Sequence, residues 1–175
     1  MKKIIIIGTT GSGKSTLAKK LSRLLGIEHI QLDFLFWKPN WTESDDAEFF
    51  SKISEAINCE SWIIDGNYGR TQHLTWPVAD TVIWIDLPFW PTLYQNISRS
   101  IYRSITREEI WKGTGNKESF IKMFSKDSIV KWLFKTYDSN KERYSKNMQN
   151  EKFKNINFIH LKSRKEIEFF LKNIN

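Results

Sequence analysis

Short unbroken apolar runs alternate with longer stretches of helical periodicity along this chain. Lys3-Ile4-Ile5-Ile6-Ile7 shows no polar alternation, as expected of a strand buried on both faces. Leu17, Ala18, Leu21, Leu24 and Leu25 then recur at helical spacing before a Gly26 stop, predicting a helix over about Lys14–Leu25. The alternation continues with a strand over Ile27–Leu32 ending at Asp33, then a helix over about Glu43–Asn58 with Thr42 as N-cap. Trp62–Asp65 reads as a third strand, 70–78 as a looser stretch with a short helix at most, and Thr81–Ile85 as a fourth strand. A helix from near Pro91 to about Ser104 follows, then a mobile loop over 106–119 marked by Gly113 and Gly115. A long helix over about 120–149, a fifth strand at Asn157–Leu161 and a final helix opened by the capping box Ser163-Arg164-Lys165-Glu166 complete the chain. Strands alternating with helices predict an α/β domain built on an open parallel sheet.

Such sheets bind ligands outside the carboxyl ends of their strands. That edge collects the glycine-rich turn after strand one, Asp33 after strand two and Asp65-Gly66-Asn67-Tyr68 after strand three. The arginines after strand four and the loop after strand five join them.

The glycine-rich turn carries the strongest chemical signal. Gly8-Thr9-Thr10-Gly11-Ser12-Gly13-Lys14-Ser15 fits G-x-x-x-x-G-K-[ST] and lies between a strand and a helix, the context a phosphate-binding P-loop requires. Backbone N–H groups from Gly8 to Thr16 would wrap a polyphosphate, helped by the positive end of the helix. Lys14 would reach the terminal phosphates of ATP and Ser15 would hold Mg²⁺.

Asp65 ends an apolar strand and is expected beside the P-loop, where a carboxylate can bind a water of the Mg²⁺ shell; Asp-Gly is also a common turn pair. Asp33 is the candidate to orient an acceptor hydroxyl or take its proton, with charge around a bound phosphate favouring the ionised form; a turn or cap is the competing role. Arg99, Arg103 and Arg107 recur every four residues and so share a helix face. Arginine forks bind phosphate oxygens bidentately and keep their charge, so Arg99 and Arg103 are candidates to stabilise a transferring phosphoryl group, against a plain solvated face. Asn67, Tyr68 and Arg70 are candidates for holding the acceptor, and the aromatics from Phe34 to Trp41 for a pocket wall. His29, His73 and His160 are scattered, and none reads as a base or metal ligand.

Composition limits the partners. The 175 residues, 40% hydrophobic and 27% charged, suit one globular domain, and no apolar run approaches the roughly 20 residues of a membrane span. Cys59 stands alone, which excludes a disulfide within the chain and fits a reducing cytoplasm. Net charge is +7, and its excess lies wholly in the second half: nine Lys/Arg face eleven Asp/Glu through Gln95, and eighteen face nine beyond it. A nucleic-acid surface and a phosphate-handling lid with a lysine-rich exterior both account for that asymmetry.

The chain resembles the adenylate-kinase-like P-loop kinases, and within them the small proteins named "DNA topology modulation protein". The resemblance rests on Gly8–Thr16, Leu32–Pro39, Trp62–Tyr68, Ala79–Pro88 and Leu161–Arg164. It implies a three-layer αβα P-loop NTPase fold, a five-stranded parallel sheet in the order 2-3-1-4-5, a lid over about 106–119, and Mg²⁺ with ATP as donor. Adenylate kinases follow strand three with Asp-Gly-aromatic-Pro-Arg, whose arginine holds the acceptor's phosphate; here the run is Asp65-Gly66-Asn67-Tyr68-Gly69-Arg70, one residue longer and without the proline. Arg99 matches in placement the arginine those enzymes carry after strand four. No cysteine cluster marks the lid, so no structural zinc is implied. The expectation is a cytoplasmic ATP-dependent phosphotransferase acting on an unidentified small-molecule or nucleotide acceptor, monomer or homodimer. The alternative is a nucleotide-gated DNA-binding protein.

Overall fold

A computed structural model describes residues 1–111, 113–118 and 128–174 of the chain. Five parallel strands form its central sheet: β1 (Lys3–Gly8), β2 (His29–Gln31), β5 (Trp62–Asp65), β6 (Thr81–Ile85) and β7 (Asn157–Leu161). They lie in the order β2-β5-β1-β6-β7. Counting only the strands of this sheet, that is 2-3-1-4-5. The β-branched run of β1 puts it at the centre: Ile5 faces Ile64 on one side and Val82 on the other.

Side chains alternate across the sheet, so β1 feeds two cores. Ile4 and Ile6 pack with Ile63, Ile83 and Ile85 against Leu17, Ala18 and Leu21 of α1 (Lys14–Leu25), with Phe170 and Leu171 of α7 (Arg164–Asn173) closing the layer. On the other face Ile5, Ile7, Ile64, Val82 and Trp84 pack with Phe49 and Ile53 of α3 (Asp46–Ala56) and Tyr144 of α6 (Ile129–Met148). Three layers result. Ile6 is fully buried, and truncating it to alanine costs about 2–5 kcal/mol.

The segment after β2 departs from the sequence expectation. The strand is short, and Leu32–Phe36 forms a helical turn, α2, that carries Asp33 in its first turn. Trp37–Lys38 (β3) and Thr42–Glu43 (β4) then pair as a small antiparallel hairpin. Thr42 is therefore a strand residue, and Asp45 caps α3 instead, accepting from the Glu48 N–H at 2.9 Å. Around 70–78 only α4 (Gln72–Thr75) and flanking 3₁₀ turns form, as expected. The expected helix over 120–149 is seen as α6; residues 120–127 lie outside the described residues. The capping box holds: Ser163 accepts from the Glu166 N–H at 3.2 Å, and Glu166 accepts from the Lys162 N–H at 2.8 Å.

The helix after β6, α5 (Phe89–Thr106), is inverted relative to an ordinary surface helix. Thr92, Asn96, Ser100 and Ser104 recur every four residues and are buried, while Trp90, Tyr94, Ile101 and Ile105 are exposed. Its polar stripe therefore faces the protein, beside the loop that follows β1. No helix among the described residues is long and apolar enough to cross a membrane.

Candidate active site

The loop between β1 and α1 is shaped by close backbone approaches. Gly8 has φ +150°, and a Cβ there would lie 2.6 Å from the Ile85 carbonyl oxygen and 2.7 Å from Ser12 Oγ. Gly11 has φ +82° and rests on α5, where a Cβ would come within 2.9 Å of the Thr92 carbonyl oxygen. Only glycine meets both demands at either position. The loop delivers Lys14 as the first residue of α1, with Ser15 and Thr16 exposed beside it and Thr9 and Ser12 buried.

Lys14 curls back over the loop: its Nζ donates to the carbonyl oxygens of Gly8 and Thr9 at 2.8 and 3.0 Å. Crowding lowers its pKa to about 8, against the pull of Asp65 and Asp33 and with a further push from Arg99. Ser12 Oγ is buried with no hydrogen-bond partner among the described residues. An orphaned hydroxyl, a glycine cradle, a helix N-terminus and an ammonium held only by carbonyls together suit a polyphosphate. Ser15 is exposed beside the loop and Asp65 lies within electrostatic range of Lys14; their oxygens are of the kind a magnesium ion takes.

Asp65 ends β5 almost wholly buried, with its Oδ1 3.0 Å from Nε2 of His29, itself buried on β2. The sequence assigned this histidine no role as a base or metal ligand; in the structure it is a partner of Asp65, although the strand register sets His29 opposite Ile63 and Gln31 opposite Asp65. The Asn67 side chain is bonded to the backbone of Gly8. Its amide donates to the Gly8 carbonyl and its oxygen accepts from the Gly8 N–H at 3.4 Å, bracing the start of the phosphate loop.

Asp33 and Tyr68 meet across the cleft, the phenol donating to Asp33 Oδ1 at 2.7 Å. Asp33 opens to solvent on one side and is crowded on the others; that crowding raises its carboxyl above the ordinary value, opposed by the Tyr68 hydrogen bond and by Lys14. Burial and the adjacent carboxylate push Tyr68 far upward, so the phenol keeps its proton. Arg70 is otherwise committed. It pairs with Asp46 Oδ1 at 3.0 Å and lies over the Phe36 ring, 4.7 Å from its centroid.

Arg99 reaches the open cleft within electrostatic range of Lys14 and Asp33. Crowding, then Arg103, lowers its pKa, while Glu118 and Asp33 oppose the shift. Arg103 Nη1 lies 3.9 Å from Glu118 Oε2. Arg107 ends α5 in a left-handed conformation and is exposed. The expected lid, whose residues 112 and 119 lie outside the described residues, is docked on the hairpin. The Asn116 side chain accepts from the Trp41 N–H at 2.8 Å and donates to the Lys38 carbonyl at 2.9 Å. Trp41 stands edge-on between Trp37 and Trp111, with centroids 5.6 and 6.0 Å apart.

The cleft thus brings together the phosphate loop, Asp33, Tyr68, Asp65 and Arg99, with Arg103 beside Arg99. Asn67 serves the loop, and Arg70 serves α3 and the aromatic wall. Asn116 and Glu118 are additions that sequence reasoning did not single out, and His29 adds a contact to Asp65.

Comparisons with known proteins bear on the fold. A family model described as an AAA domain matches residues 4–112. A shikimate kinase from Bacteroides thetaiotaomicron is similar in structure at TM-score 0.53 and 16% identity, over 97% of this chain and 93% of that one. A shikimate kinase from Acinetobacter baumannii, solved in complex with shikimate, is similar at TM-score 0.54 and 14% identity, over 98% and 89%. A sugar kinase from Janibacter sp. HTCC2649 gives TM-score 0.52 and 14% identity, over 98% and 93%. No curated protein matches the sequence. At these identities the likeness shows the fold alone, an α/β fold with a five-stranded parallel sheet flanked by helices.

Proposed function

Starting from a chain that belongs to the AAA domain family and has the P-loop kinase fold, we propose an ATP-dependent phosphotransferase that moves the γ-phosphoryl group of ATP to a hydroxyl of a small acceptor. One observation carries this reading: the Tyr68 phenol holds Asp33 at 2.7 Å, within electrostatic range of Lys14 of the phosphate loop.

Lys14 leaves the Gly8 and Thr9 carbonyls for the donor's terminal phosphates, which also take the backbone N–H groups of the loop. Ser15 and Asp65 would hold Mg²⁺, which supplies neutralising charge at those phosphates. Asp33 accepts a hydrogen bond from the acceptor hydroxyl. As the acceptor oxygen bonds to the γ-phosphorus and the bridge to the β-phosphate breaks, the hydroxyl proton passes to the Asp33 carboxylate. Crowding around Asp33 makes it a stronger base than a solvated aspartate, and the Tyr68 phenol fixes its orientation. Arg99 and Arg103 stabilise charge on the transferring group without losing their own. Tyr68 and Trp37, both half-buried, support an acceptor with an apolar face.

The test separates binding from chemistry. Asp33→Asn should bind ATP with wild-type affinity by calorimetry and transfer phosphoryl at least about 100-fold more slowly. Transfer at the wild-type rate would remove Asp33 from the chemistry.

A further inference from the structure

The inward polar stripe of α5 receives a carboxylate from a distant part of the chain. Ser100 Oγ donates to Glu118 Oε1 at 2.7 Å, and Arg103 Nη1 stands 3.9 Å from Glu118 Oε2. The Glu118 side chain is only 15% exposed, and its Oε2 is buried without a hydrogen-bond donor among the described residues. A buried carboxylate oxygen left without a hydrogen bond is costly unless nearby positive charge compensates. Arg103 and Arg99 supply that charge. The contact is nevertheless loose, because 3.9 Å is well beyond a bidentate guanidinium–carboxylate pair.

These two guanidiniums are the ones the proposed transfer assigns to phosphate oxygens. We propose that Glu118 is an internal anion that occupies the arginine pair until a phosphate of the nucleotide displaces it. This inference rests on the phosphotransferase reading. A terminal phosphate carries more charge than a carboxylate and three acceptor oxygens, so it outcompetes a single loose carboxylate contact. The displaced glutamate has a tether. Two residues earlier, Asn116 stays bound to the hairpin through hydrogen bonds to backbone that phosphate does not compete for. Nucleotide binding therefore frees one end of this segment from α5 while the other end keeps its hold over Trp41, and the state of the phosphate site is passed to the acceptor side.

The experiment is calorimetric titration of wild type and Glu118→Gln with ATP, with magnesium-free pyrophosphate and with adenosine. The substitution keeps the shape and removes the competing charge. ATP and pyrophosphate should each bind the variant about three- to fivefold more tightly, the worth of one partly exposed ion pair, while adenosine binding stays unchanged. Ser100→Ala removes only the hydroxyl that holds the carboxylate and should shift pyrophosphate affinity in the same direction, which covers a poorly folded Glu118→Gln. Glu118→Asp should stay nearer wild type. Wild-type or weaker pyrophosphate binding by the folded variants would overturn the inference and make Glu118 a fixed brace for the arginines. If wild type itself binds neither ATP nor pyrophosphate, the phosphotransferase reading fails and takes this one with it.

Discussion

Replacing Asn67 with alanine separates two roles that the sequence leaves together, bracing the phosphate loop and holding the acceptor. The side chain spends its carbonyl oxygen on the Gly8 N–H and its amide on the Gly8 carbonyl, across 59 positions of chain. Alanine breaks both bonds and leaves a part-buried backbone donor at the first loop glycine. A net contribution of about 1 kcal/mol per bond, plus the cost of the unpaired groups, gives a loss of about 2–3 kcal/mol. For a chain of this size that lowers the melting temperature by about 5–10 °C. Urea denaturation and calorimetry with ATP read the two consequences together: stability falls by that amount, and ATP affinity falls because the loop must be re-formed on binding. Asn67→Asp should recover no stability over alanine, since it can still accept from the Gly8 N–H but sets a carboxylate oxygen against the Gly8 carbonyl. The reasoning fails if Asn67→Ala changes stability by less than about 0.5 kcal/mol, or if its main effect is on the acceptor's KM with ATP binding intact.

What was legible in the sequence follows from how locally each feature is determined. The phosphate loop was readable because its glycines answer to backbone sterics: Gly8 and Gly11 sit where a Cβ would strike Ile85 and Thr92. The sheet order came with the resemblance, and the alternation of Ile4 to Ile7 between two cores follows from strand geometry alone. Leu32 was read as the end of a strand, whereas it opens the helical turn Leu32–Phe36, because a short apolar run has no period that separates strand from helix. The cap at Thr42 was misplaced because Thr42, Ser44, Asp45 and Asp46 can each cap a helix, and pairing of Thr42 with Lys38 takes Thr42 into a strand. His29, Asn116 and Glu118 had no local signal, since their partners lie 36, 75 and 18 positions away. Arg70 was a candidate for the acceptor by its place after β5; its contacts with Asp46 and the Phe36 ring had no local signal.

Three further outcomes follow from the geometry. Lys14 titrates near pH 8 in the free protein, and phosphate needs its charged form, so ATP affinity should fall as pH rises, about tenfold between pH 7 and 9; a Lys14→Ala variant that showed the same slope would refute this. Tyr68→Phe removes a hydrogen bond that favours ionised Asp33, so its carboxyl rises further and the acidic limb of the rate–pH profile should move to higher pH, with ATP affinity unchanged; an unmoved limb would contradict the pairing. Gly11→Ala places a Cβ 2.9 Å from the Thr92 carbonyl at φ +82°, so urea denaturation should show a loss of about 2 kcal/mol or more; wild-type stability would mean that α5 gives way freely.

The central claim is tested most directly by ADP release from Mg·ATP, measured with the purified protein alone and then with pools of nucleoside monophosphates, nucleosides, sugars and hydroxy acids. The account predicts that one pool raises the rate well above its basal value, with one phosphorylated acceptor formed per ADP. A basal rate that no pool raises and that DNA does raise would contradict it.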